Sequence, residues 1–270
     1  MSGSERLISS LDLVERTLST DVAYTISRMK VLERLPGNPI GIDYRKIDQT
    51  AVALMSRLPS FSRVVGLRAG QEDHIEPLVN WYREHDIKPT FEMVPGHFHA
   101  RLGRELTRLG FFQSGFHVSL IGEPRRLDGT NDDVGIEQVT TPQAMDDYLD
   151  AYVAGWGVPD EDQAQFKANV RPWQEQSGWS LYLARINGKP AAAATLFVEG
   201  GVAYLADAAT TPAMRNQGLQ TALLKRRVFD ARVAGADVVF SGAAPFSTSH
   251  RNMERVGLRV QFVRSLWTGP

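Results

Sequence analysis

The chain has no cysteine among its 270 residues. That excludes a disulfide framework, a cysteine nucleophile, thiolate zinc sites and cysteine-ligated iron–sulfur clusters. Long apolar runs are missing too. None reaches the roughly 18 residues of a transmembrane helix, and the polar start MSGSER does not read as a signal peptide. A cytoplasmic location is the default expectation. Neither sign of charge is in excess: 30 Lys and Arg stand against 31 Asp and Glu, a net charge of −1. Binding to nucleic acid or a membrane surface usually needs a basic surplus, so neither is an expected partner. What is present is ordinary for a globular protein, with 43% hydrophobic and 23% charged residues. At about 150 residues per domain the length suggests two domains, each able to build a core without covalent staples.

Apolar spacing predicts a helical stretch from Ser4 to about Leu35, with Asp21 as the cap of a second helix, ended by Pro36-Gly37-Asn38-Pro39. Short β runs follow at Ile40–Ile47, Thr50–Met55 and Val64–Leu67, then a helix His74–Glu84, a strand Lys88–Val94, a helix His99–Leu109 and a strand Phe116–Ile121. Gly122–Asp133 is polar and aperiodic and reads as a linker. Beyond it, Thr141 and Pro142 open a helix, and a second covers about Asp160–Gln176. Trp179–Ile186, Ala191–Val198 and Val202–Ala208 form an antiparallel meander, turned at Asn187-Gly188 and Gly200-Gly201. A helix Leu219–Ala234, a strand Asp237–Ser241, a helix Ser249–Val256 and a strand Val260–Trp267 complete the pattern.

The two halves echo each other. Leu106-Thr107-Arg108-Leu109-Gly110-Phe111 aligns with Met253-Glu254-Arg255-Val256-Gly257-Leu258, and Phe116, Ser119 and Leu120 align with Phe262, Ser265 and Leu266. The element order around both is strand, helix, strand, helix ending in Gly, strand. A duplicated domain is the expectation, with units at 1–122 and 134–270 and a linker at 123–133.

The stretch that carries chemistry runs from Tyr204 to Leu224. A strand ends near Ala209, and a polar loop with Arg215 and Gly218 leads straight into an amphipathic helix. The first amides of a helix lack internal partners and the helix dipole adds positive character there, so this junction suits an anion. Arg215 adds a full charge, Gly218 allows close approach of the backbone, and no acid lies between Thr210 and Leu224. Pro212-x-x-Arg215-x-x-Gly218 resembles the coenzyme-A-binding loop of the GCN5-related N-acetyltransferase (GNAT) family, whose usual form is Gln/Arg-x-x-Gly-x-Gly/Ala. Gln220 replaces the final small residue. The resemblance covers about Val134–Trp267 and includes Glu254-Arg255-Val256-Gly257-Leu258, close to the family's Glu-Lys-x-Gly-Phe.

The resemblance implies an α/β (α+β) protein of two GNAT-like domains, each a mixed, mostly antiparallel twisted sheet flanked by helices. It implies an acetyltransferase using acetyl-CoA as co-substrate, with a small-molecule or peptide amine as the other partner, no metal, and a homodimer allowed. The cofactor would lie on Ala209, Thr210, Arg215, Asn216, Gln217, Gly218, Leu219, Gln220 and Thr221, with its pantetheine arm between Val202–Ala208 and Asp237–Ser241. The sequence departs from the family where a general-acid Tyr and an Asn are common: these positions are Met253 and Phe246. The catalytic candidates are therefore Asp207, the only carboxylate on its strand; Tyr204, three residues earlier; and Ser249, one helical turn before Met253. Asp207 also reads as a structural acid at a strand bulge, Ser249 as a helix cap, and His250 either as a base or as an exposed residue at the helix start. Lys225-Arg226-Arg227 reads as a solvated face or as a contact for the 3′-phosphate of coenzyme A. Trp156, Trp173 and Trp179 either shape an acceptor site or pack the core. In the first half the equivalent junction carries Glu72 and Asp73 after Gly70, which would repel a pyrophosphate, so that copy is expected to be degenerate. A non-catalytic acyl-CoA-binding module is the alternative.

Overall fold

The computed structural model describes residues 7–127 and 134–269, so the expected linker lies partly outside the described residues. Two compact units result, and neither is one stretch of sequence. Leu18–Ser119 with Phe262–Pro270 form the N-unit, and Met1–Thr17 with Leu120–Gln261 form the C-unit.

The chain opens on a single helix, α1 (Leu11–Glu33), of 23 residues. Asp21 does not cap a second helix. It lies in mid-helix, buried, and accepts hydrogen bonds from Arg63 at 3.0 Å and Arg264 at 2.9 Å. The N-unit then runs β1 (Ile42–Ile47), β2 (Thr50–Met55), β3 (Arg63–Val65), a 3-10 turn, α2 (Ile75–Glu84), β4 (Thr90–Met93), α3 (Ala100–Arg108) and β5 (Phe112–Gly122). Its core forms where Val52, Leu54, Val64 and Phe91 of the sheet meet Leu78, Tyr82, Leu102 and Leu106 of the two helices.

The second half gives β6 (Val134–Gln138), α4 (Pro142–Trp156), α5 (Asp160–Val170), β7 (Trp179–Ile186), β8 (Lys189–Glu199), β9 (Val202–Thr210), α6 (Leu219–Val233), β10 (Val238–Ala243), α7 (Thr248–Arg255) and β11 (Arg259–Thr268). The caps expected from sequence operate at α4, where the Thr141 hydroxyl accepts from the Ala144 amide at 3.2 Å. Asn187-Gly188 and Gly200-Gly201 turn the β7–β8–β9 meander, and all four residues have positive φ.

Strand order is β1-β2-β3-β4-β11-β5 in the N-unit and β5-β10-β9-β8-β7-β6 in the C-unit. β3 with β4 and β9 with β10 are parallel, while β1–β2, β2–β3, β4–β11, β6–β7, β7–β8 and β8–β9 are antiparallel. Each unit is therefore a mixed, mostly antiparallel sheet flanked by helices. Both follow the order strand, strand, strand, helix, strand, helix. The duplication has a twist in its connectivity. The strand beside β4 is β11, from the second half, and the strand beside β10 is β5, from the first.

Candidate functional site

The C-unit opens where its parallel pair ends. β9 and β10 are in register from Val202–Val238 to Tyr204–Phe240 and pair no further, although both strands continue. The Ser241 hydroxyl reaches across to the Leu205 carbonyl at 2.7 Å instead. On its other side β9 carries a bulge. Ala193 pairs with Ala209 but Thr195 with Ala206, so Asp207 and Ala208 together oppose Ala194, and Asp207 takes φ 42°.

The chain leaves β9 through a 3-10 turn at Pro212–Met214 and enters α6 at Gly218, whose φ of 80° favours glycine. No side chain caps α6, in contrast to α4 and to α7, which Ser247 caps by accepting from the His250 amide. Beside the uncapped end lies a cleft of about 760 Å³. Of the residues expected to hold the cofactor, Ala209, Thr210, Arg215, Asn216, Gly218, Leu219, Gln220 and Thr221 line it, and Gln217 does not. Gln220 ties the helix start to β9 by donating to the Thr210 hydroxyl at 2.8 Å. α4 approaches closely at Gly155, where a Cβ would come within 2.7 Å of the Ala209 Cβ.

α7 forms the far wall with Thr248, Ser249, Arg251, Asn252 and Arg255. Sequence reasoning missed Arg251, Asn252 and Arg255. Their signal was helical spacing: Met253 and Val256 are buried, and positions 248, 251, 252 and 255 make the opposite stripe. Arg215, Arg251 and Arg255 enter no ion pair among the described residues, and no carboxylate lines the cleft. The site is therefore cationic in a protein of net charge −1.

The catalytic candidates separate. Ser249 lies on the cleft wall, in the first turn of α7 rather than at its cap, which is Ser247. Asp207 sits in the bulge and is not among the lining residues. Tyr204 is elsewhere: its ring stacks on Phe240 at 4.4 Å and packs with Leu13, Ile121 and Val238. His250 is buried, not exposed. Its Nδ1 accepts from the Phe246 amide at 3.0 Å, and its Nε2 lies 3.6 Å from Glu254. Met253 is buried as well. Trp173 and Trp179 pack in the core, while Trp156 is half exposed on the cleft.

Lys225-Arg226-Arg227 is not a solvated face. Arg227 is 1% exposed and donates through Nη1 to the carbonyls of Thr195 at 2.8 Å and Ala206 at 3.1 Å, the two residues that flank the bulge. Burial pulls its guanidinium down to about 10, while Tyr182, Tyr148 and Asp207 act in the opposite direction. Arg226 donates to Asp230 and to the Ile136 carbonyl.

The N-unit has a corresponding cleft of about 460 Å³ between the start of α2 and α3, with a different lining. Arg101, Arg104 and Arg108 face Glu72, Asp73, Glu76 and Glu105, and Arg108 is paired with Glu76 at 2.7 Å and Glu105 at 2.9 Å.

Residues 121–244 match the family model described as an acetyltransferase (GNAT) domain. No curated protein matches the chain. Among solved structures, a GCN5-related N-acetyltransferase from Kribbella flavida is 16% identical, with a TM-score of 0.65 over 92% of this chain and 95% of that one. A tandem GNAT protein from the clavulanic acid biosynthesis pathway is 13% identical, with a TM-score of 0.62 over 98% and 97%. A functionally unknown conserved protein from Staphylococcus epidermidis is 16% identical, with a TM-score of 0.62 over 85% and 94%. At these identities the likeness is one of fold. The second half is thus similar to a GNAT acetyltransferase domain, and the chain shares the fold of a tandem GNAT structure.

Proposed function

We propose that the C-unit transfers an acetyl group from acetyl-CoA to an amine. One observation carries the reading: an uncapped helix start opens into a cleft lined by three arginines that enter no ion pair among the described residues, and by no carboxylate. The pyrophosphate would lie on the first amides of α6 beside Arg215. The pantetheine arm would enter where β9 and β10 stop pairing. The amine nitrogen attacks the thioester carbonyl carbon, the C–S bond breaks, and coenzyme A leaves as a thiolate. Ser249, on the cleft wall, can donate a hydrogen bond to that sulfur, and the thiolate takes its proton from solvent. The lining holds no carboxylate, imidazole or phenol, so the amine proton passes to solvent or the amine binds neutral.

Arg215→Glu should weaken coenzyme A binding by about 10-fold or more, because it replaces a charge-assisted contact with repulsion. Calorimetry on the folded variant checks this, and unchanged affinity would remove the loop from the site. Thiol release from acetyl-CoA across a panel of amines separates a transferase from a module that only binds acyl-CoA, a reading favoured by the burial of Met253 away from the cleft.

The acids of the N-unit cleft also set a stoichiometry. One coenzyme A should bind per chain, and titration to two would show that the N-unit cleft accepts it despite Glu72, Asp73 and Glu76.

A further inference from the structure

We infer that α7, not α6, reads the 3′-phosphate of coenzyme A, through Arg251 and Arg255. The inference rests on the proposed coenzyme A site and extends it to donor selectivity. Coenzyme A carries two separate anionic groups, a pyrophosphate and a ribose 3′-phosphate. The start of α6 with Arg215 accounts for the first. The basic run of α6 is unavailable for the second: Arg227 is buried against backbone carbonyls, and Arg226 is tied to Asp230. Two cations remain on the cleft, both from α7 and one helical turn apart.

These two are held in place without being neutralised. Arg251 donates to the Phe246 carbonyl at 2.7 Å, and Arg255 donates to the Asn252 side-chain oxygen at 2.7 Å. Both acceptors are uncharged, so the guanidiniums keep their charge and further donors for a phosphate.

The duplicated half provides an internal comparison. In the alignment of the repeat, Arg104 and Arg108 of α3 correspond to Arg251 and Arg255, and Glu105 corresponds to Asn252. The N-unit cleft thus retains the arginines but places carboxylates beside them, and Arg108 is consumed by Glu76 and Glu105. Where the cleft is free of acid, the same pair of arginines is open to an external dianion.

The test compares coenzyme A with dephospho-coenzyme A, which lacks only the 3′-phosphate, by calorimetry. The unmodified protein should bind coenzyme A about 10-fold or more tightly than the dephospho form. Arg251→Ala with Arg255→Ala should bring the two affinities to within about 3-fold, by weakening coenzyme A alone. Asn252→Glu, which reproduces the Glu105 arrangement, should reduce the preference in the same way with both arginines retained. Equal binding of the two ligands by the unmodified protein would overturn the inference, as would a preference that survives in the folded double variant. Binding of neither ligand would instead defeat the underlying coenzyme A site, and the inference with it.

Discussion

Arg264→Met should destabilise the N-unit by about 3–5 kcal/mol, the usual cost of removing one partner from a buried ion pair. Methionine nearly fills the same space, so the loss is electrostatic rather than a cavity. Arg264 comes from β11 and is almost fully buried. Its Nη1 lies 2.9 Å from Asp21 and 2.6 Å from Glu92. Arg63 approaches the same two acids from β3, each at 3.0 Å. Two cations and two anions thus alternate, and without Arg264 two buried carboxylates share one guanidinium.

The same network predicts how stability depends on pH. Burial would raise the Glu92 carboxyl, but Arg63 and Arg264 outweigh it and hold the group at about 2, below its usual 4.5. A carboxyl lowered by folding contributes stability that is full above 4.5 and lost as pH falls towards 2. His117 works in the same direction. Burial, aided by Arg264, lowers it below its usual 6.5, so the native state resists its protonation and stability begins to decline below that pH. Denaturant unfolding at pH 7 and pH 3, with a probe in the N-unit, checks both claims. A melt unchanged by Arg264→Met at pH 7 would show that the ion pairs contribute nothing net.

Arg227→Met should be the most damaging single change in the C-unit. It removes the two hydrogen bonds that Nη1 donates to the Thr195 and Ala206 carbonyls, at about 1–3 kcal/mol for each buried acceptor that loses its partner. Relief of the buried charge offsets part of this, since burial already disfavours the charged guanidinium. The functional consequence follows from location. The two carbonyls flank the bulge that sets the course of β9 into the cleft, at Ala208–Thr210. Coenzyme A affinity should therefore fall together with the melting temperature of the C-unit. A variant that loses stability but keeps full affinity would separate the bulge from the cleft.

Local patterns exposed much of this molecule in the sequence. Thr141, Asn187-Gly188 and Arg215-x-x-Gly218 act through neighbours a few residues away, and the structure uses the first two as their chemistry dictates. The failures share a cause. Asp21 looked like a cap and Arg227 like surface because their partners are distant in sequence: Arg264 is 243 residues from Asp21, and Thr195 is 32 from Arg227. Ser249 looked like the cap because Ser247 stands two residues before it and either hydroxyl could start the helix. Arg251 escaped because no motif contains it, and Arg255, though inside the Glu254–Leu258 motif, had no charge partner in sequence to mark it. They are recognisable only once Met253 fixes which face is buried.

The exchange of strands beside β4 and β10 bears on the order of synthesis. A ribosome makes β1 to β4 first, yet Glu92 of β4 pairs with Arg264, 172 residues later. The unit that contains β1 to β4 therefore closes only after β11 is made. Until β11 emerges, the free edge of β4 and the carboxylates of Asp21 and Glu92 lack their final partners. Long-range closure of this kind is slow and leaves strand edges open to wrong pairings. The earlier half of this polypeptide thus passes its synthesis as an unfinished sheet, dependent on the arrival of the final strand.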